Sequence, residues 1–173
     1  GAGWFAPADA AYLGAANFAG YLAGAYFSRR FASWFSPIAV LRTMILLAAA
    51  SFIASAWPLS FLWFFVWRFA SGVAGGTLMA LGPMLALSQV PAPRRGFAGG
   101  IVFGGVGFGI VASGTLVPLL IDIGLPETWF VLGLLCVAVA ALTWRGWPVG
   151  VAPPPIHATA PPSWALRLFY IRS

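Results

Sequence analysis

Long apolar runs, broken at short intervals by proline, arginine or a carboxylate, set the pattern of this chain. A helix needs about 20 mostly apolar residues to cross a bilayer. Five runs meet that length, at about residues 9–27, 37–57, 59–87, 97–121 and 128–144. The third is longer than a bilayer needs, which predicts tilt or projection from the membrane. "WPLS" reads as a tight turn, "SQVPAPRRG" as a basic loop and "DIGLPE" as an acidic one. Past Trp147, residues 148–163 ("PVGVAPPPIHATAPPS") are proline-rich and read as an extended linker, because proline cannot sustain a helix. Residues 164–173 ("WALRLFYIRS") read as the start of a following element. The expected fold class is all-α, a polytopic transmembrane helix bundle over 1–147.

Composition agrees with a lipid solvent. Of 173 residues, 61% are hydrophobic and 7% charged, far below the charge of about 25% that covers a soluble domain. The net charge of +6 rests on nine arginines. They are sparse and separated by apolar runs, so they form no nucleic-acid footprint. Cys136 is the single cysteine, which excludes a disulfide framework and a cysteine-based zinc site. "GAGWFAPADA" lacks an initiating Met and a basic n-region. It is not a signal peptide, and the chain reads as if its start had been cut.

The arginines also predict orientation. Arg29, Arg30, Arg42, Arg94, Arg95 and Arg145 gather at alternate ends of the runs, and Asp9, Asp122 and Glu127 at the opposite ends. Positive residues favour the cytoplasmic side, so the loop around "SRR", with Gly24, Arg29 and Arg30, is expected inside. The N-terminus is then outside and the linker cytoplasmic. Trp57 and Trp129 fall at the outer edge, and Trp34, Trp144 and Trp147 at the inner edge. An odd number of spans that starts outside becomes ordinary if one helix precedes them.

Few residues in the spans carry chemistry. The sequence holds no paired carboxylates, no metal-ligand cluster and no Ser/His/Asp set, and His157 lies in the linker as a solvated loop residue. No enzyme activity, cofactor or metal is therefore expected. Arg68, in "FFVWRFASGVAGG", is the exception. A charge at bilayer depth costs about 2.5–3.5 kcal/mol on insertion scales. Counted from Leu59, Arg68 lies about nine residues, or about 14 Å, into its span. Its expected partner is a substrate anion, a carboxylate on a helix absent from this sequence, or backbone carbonyls. Asn17 and Tyr21, one turn apart in the first span, are candidates either to line a cavity or to make an interhelical hydrogen bond.

Small residues form two further patterns. Arg68, Gly72, Gly75, Met79 and Pro83 recur at helical spacing on one face, and Ser71, Gly72, Gly75 and Gly76 would let a helix approach closely. The fourth span pairs Gly100 with Gly104, Gly105 with Gly109, and Gly109 with Ser113. Such faces serve close packing, or let helices slide as a gate moves. Pro83 and Pro118 are expected to kink their helices.

"WRFASGVAGG" resembles the fourth-helix signature of the major facilitator superfamily, on Arg68, Gly72, Gly75 and Gly76. "GGVGFGIVASGTLVPLL" is similar to its glycine-rich fifth helix, and "YLGAANFAGYLAGA" with "SRR" to its second helix and following loop. Together they resemble the YbfB/YjiJ-like bacterial branch, over about residues 9–147. The resemblance implies helices two to six of the N-terminal six-helix domain, with the first helix and the C-terminal bundle missing. It also implies a bacterial inner-membrane location. Two departures stand out. The loop after the first span lacks the family's usual Asp, and no proline follows Gly109 until Pro118, so antiport is not implied.

The function expected from these features is that of a secondary transporter fragment. It would move a small solute, anions among the candidates, by alternating access in contact with the lipid bilayer. The alternative is a membrane scaffold or assembly subunit that docks through its glycine faces.

Overall fold

Serine and proline set the helix boundaries. Ser36 Oγ accepts the Ala39 N–H at 3.1 Å with Pro37 in the first turn, and Ser60 Oγ accepts the Trp63 N–H at 3.1 Å. Both are N-caps, where a short side-chain oxygen satisfies an orphan backbone donor. A computed structural model describes residues 7–147. It contains α1 (Pro7–Trp34), α2 (Pro37–Ser55), α3 (Phe61–Ser88), a 3-10 turn (Ala92–Arg94), α4 (Arg95–Ile121) and α5 (Leu125–Thr143). The linker at 148–163 and the segment at 164–173 lie outside the described residues.

The helices follow the expected order, with two differences. The "SRR" segment is not a loop. α1 runs through Arg29 and Arg30 to Trp34, since nothing between Gly24 and Ser36 breaks a helix. Gly24 itself is buried inside that helix. Four helices, α2 to α5, are long and apolar enough to cross a membrane. α1 is long enough, at 28 residues. Its alanines and glycines, with Asn17 and three tyrosines, keep it from the same apolarity. Pro83 and Pro118 sit within α3 and α4 without ending either helix.

α1 and α3 lie against each other backbone to backbone. A Cβ added at Gly20 would collide with the Phe69 carbonyl, and one at Gly24 with Val73. A Cβ at Gly72 would collide with the Asn17 carbonyl, and one at Gly76 with Tyr21. Two Gly-xxx-Gly pairs therefore face each other, one from each helix, in the contact that only glycine permits. Thr77 Oγ1, fully buried, adds a bond to the Gly24 carbonyl at 3.1 Å.

α2 packs on α3 and α5. Trp63 Nε1 donates to the Ala54 carbonyl at 2.9 Å, which ties the start of α3 to the end of α2. The apolar core gathers at one end of the bundle, around Ala32, Val40, Leu41, Leu81 and Leu85.

α4 differs from the rest, for none of its residues is buried. A Cβ at Gly100, Gly104, Gly105 or Gly109 would meet nothing within 4 Å, and Ser113 is exposed. The close packing expected of this glycine pattern is not made among the described residues. Small residues permit close approach, but their spacing does not supply the helix that approaches. Phe97, Ile101, Phe108 and Val111 on α4 also point outward, as a lipid solvent favours.

Candidate functional site

Three helix starts converge at the end of the bundle opposite the core. A cavity of 560 Å³ opens between them. α1 contributes Ala10, Leu13, Gly14, Asn17, Phe18 and Tyr21; α3 contributes Phe64 and Arg68; α5 contributes Leu125 and Trp129. Ala10, Phe64 and Leu125 each belong to the first turn of their helix. The odd-numbered helices thus begin at the same end, and the cavity lies between their opening turns. Its size falls within the range of small-molecule pockets, about 300–1,000 Å³.

Among the described residues Arg68 is the only charged side chain in this lining. α3 begins at Phe61 rather than Leu59, so Arg68 sits seven residues in, or about 10 Å at 1.5 Å per residue. That is shallower than the sequence count of about 14 Å. Its guanidinium lies 4.7 Å from the Trp129 ring centroid and 5.8 Å from that of Phe52. The two rings stack on each other, with centroids 6.0 Å apart. Nε and Nη2 are closed to water and have no hydrogen-bond partner among the described residues. Cation–π contact, worth about 0.5–2 kcal/mol, partly offsets burial of the charge. It leaves those donors unmet, at a penalty above the roughly 1–3 kcal/mol typical of a neutral group.

Asn17 and Tyr21 occupy the α1 wall one turn apart, with Gly14 a turn before them. Tyr21 also faces Gly75, where an added Cβ would lie 3.8 Å from its ring. Of the face that runs from Arg68 to Pro83, Arg68 lines this cavity. Gly72 turns into α1 instead, and Met79 is exposed. The arrangement can hold a molecule with one negative group and an apolar body. No group of three or more potential metal ligands occurs among the described residues.

Several lining residues escaped sequence reasoning. Trp129 reads as an interfacial tryptophan, yet it lies under Arg68. Gly20, which lets α1 sit close enough to bring Asn17 beside α3, carries a signal in "GYLAG", a Gly-xxx-Gly pair with Gly24. Phe18, Phe64, Leu13 and Leu125 carry none, for apolar residues in a span look alike.

A second arginine shows what a structural role looks like here. Arg42, on α2 at the core end, donates through Nη2 to the Trp144 carbonyl at 2.6 Å and lies 4.7 Å from the Trp144 ring centroid. Trp144 is the C-cap of α5, where a cation complements the helix dipole.

Residues 1–171 match the family model described as "Uncharacterised MFS-type transporter YbfB". No curated protein and no solved structure matches the chain.

Proposed function

From a chain that belongs to the YbfB-like family of major facilitator superfamily transporters, integral to the membrane through its apolar helices, we propose a part in secondary active transport. The chain forms one wall of an alternating-access pathway for a small solute. The solute sits in the cavity at Arg68, against Asn17 and Tyr21.

One observation carries this reading: Arg68 holds two buried, unmet donors beside a cavity of ligand size. A charge kept in a membrane helix without a partner lowers stability, and such residues mark solute or ion pathways. Arg68 does not itself carry protons, because guanidinium stays charged throughout the working pH range. The cavity end bears Asp9, Asp122 and Glu127 and faces outward, while the Arg42 end faces the cytoplasm, in keeping with the positive-inside bias. The location is a bacterial inner membrane.

Alternating access can be tested before the solute is known. A cysteine replaces Leu13 on the cavity wall of the protein as its gene encodes it, in an otherwise cysteine-free background that includes Cys136→Ala. An impermeant maleimide is then applied to right-side-out and to inverted vesicles. Transport by alternating access predicts labelling from both sides. It also predicts that agents trapping one conformation suppress one side and enhance the other. Labelling from a single side under every condition overturns the reading and leaves a static binding pocket.

A further inference from the structure

The charge and shape of the Arg68 cavity narrow what it can hold. Among the described residues its lining has one positive side chain and no acidic one. A cation would meet repulsion with no compensating carboxylate. A dianion would bring a second charge with nothing to meet it except the amide of Asn17 and the hydroxyl of Tyr21. A neutral molecule could offer the guanidinium only an uncharged acceptor, which makes the weaker hydrogen bond and leaves the charge uncompensated.

The donors themselves point to a carboxylate. Nε and Nη2 form one edge of the guanidinium, along which two N–H bonds run parallel. That edge suits the two oxygens of a carboxylate, which accept it as a fork. Trp129 and Phe52 lie against the group within cation–π distance, so ring contact and edge hydrogen bonding serve separate demands. Around this polar spot, Leu13, Phe18, Phe64, Leu125 and Trp129 offer apolar and aromatic contact. A solute body that is itself apolar gains from that surface, and a polyhydroxylated one loses hydrogen bonds to water.

We propose that this cavity takes a small monocarboxylate with an apolar or aromatic body, whose carboxylate meets the Nε/Nη2 edge of Arg68. The assignment rests on the reading of the cavity as the solute site and adds the class of solute. Because the edge is closed to water in this conformation, binding shifts the guanidinium or the rings beside it. Solute binding is thereby coupled to a change of conformation, through its unequal affinity for the two arrangements.

The test measures binding to the purified protein in lipid nanodiscs by calorimetry. The probes are 3-phenylpropanoate, its uncharged amide, phenethylammonium, succinate and inorganic phosphate. The expected result is a preference of at least roughly tenfold for 3-phenylpropanoate over the amide, since an ionised acceptor makes the stronger hydrogen bonds. Weaker binding still is expected for the ammonium ion, for succinate and for phosphate.

Arg68→Gln should abolish the preference. Gly14→Leu provides a second variant that leaves the arginine untouched. Gly14 lines the cavity, and a Cβ there meets nothing within 4 Å, so the new side chain starts into open space rather than against a neighbouring helix. It should weaken 3-phenylpropanoate at least roughly tenfold by occupying a pocket whose fit determines affinity. Equal binding of acid and amide, tighter binding of succinate or phosphate, no binding of any probe, or undiminished binding in Gly14→Leu would each overturn the proposal.

These failures differ from failure of the transport reading. Two-sided labelling at a Leu13 cysteine with no carboxylate preference leaves a transporter for another solute class. Carboxylate selectivity with one-sided labelling leaves a monocarboxylate binding site that does not transport.

Discussion

At one end of the bundle Arg42 lies against Trp144 and donates to its carbonyl oxygen; at the other, Arg68 lies against Trp129 and leaves Nε and Nη2 without an acceptor. Both arginines stack on an α5 tryptophan at nearly the same distance, 4.7 Å to each centroid. Arg42 also keeps a buried, unpaired Nε, so the difference lies in Nη2 and in what surrounds it. Around Arg42 the end of α5 supplies an acceptor, and the apolar core of Leu41, Leu81 and Leu85 packs at the same end. Around Arg68 there is open space of 560 Å³. One end therefore joins helices, while the other leaves buried, unmet donors beside open space. The glycine contact between α1 and α3 connects the two, since its tight packing fixes the α1 wall against the helix that carries Arg68.

The comparison can be broken first at the core end. Leu81 is fully buried in α3. Leu81→Ala is expected to lower stability by about 2–5 kcal/mol through lost burial and the cavity left behind. Reversible unfolding in mixed micelles would measure it. A loss comparable to that of an exposed leucine would show that this end is not the bundle's anchor.

Arg42→Met sharpens the contrast at smaller scale. It removes a charged hydrogen bond to the α5 end, an interaction worth about 1.5–3 kcal/mol, and should lower the melting temperature. An unchanged melting temperature would mean that the bond to Trp144 joins nothing of consequence.

Breaks between helices were legible where local chemistry makes them: "WPLS" and the prolines of "PAPRRG" and "LPE" act within a turn of where they stand. The end of α1 was not, because the arginines of "SRR" do not stop a helix and it runs on to Trp34. Arg68 was legible as a site candidate because a charge in an apolar run is conspicuous wherever it folds. What it faces was not legible. Trp129 comes from a helix 61 residues further along the chain, and an interfacial tryptophan looks the same whether or not a guanidinium rests on it. The glycines mark the same limit. "GYLAG" in α1 and "GGVGFG" in α4 have similar spacing, yet the first is pressed against α3 and the second meets no helix among the described residues. Small-residue spacing records that a helix can be approached closely, and the partner is a property of the whole bundle.

The most direct measurement is the stability of Arg68→Met. This change removes the charge and keeps an unbranched side chain of similar reach. A structural tie at Arg68 would behave as Arg42 does, and its loss would lower the melting temperature. A donor held for a solute behaves differently. Its removal gives up cation–π contact worth about 0.5–2 kcal/mol, and relieves a buried, unmet charged donor whose penalty exceeds about 1–3 kcal/mol. The expected result is a melting temperature equal to or above that of the parent, with loss of carboxylate binding in the same preparation. A destabilisation of about 3 kcal/mol or more, the scale seen when one partner of a buried pair is removed, would contradict it and make Arg68 a helix tie like Arg42.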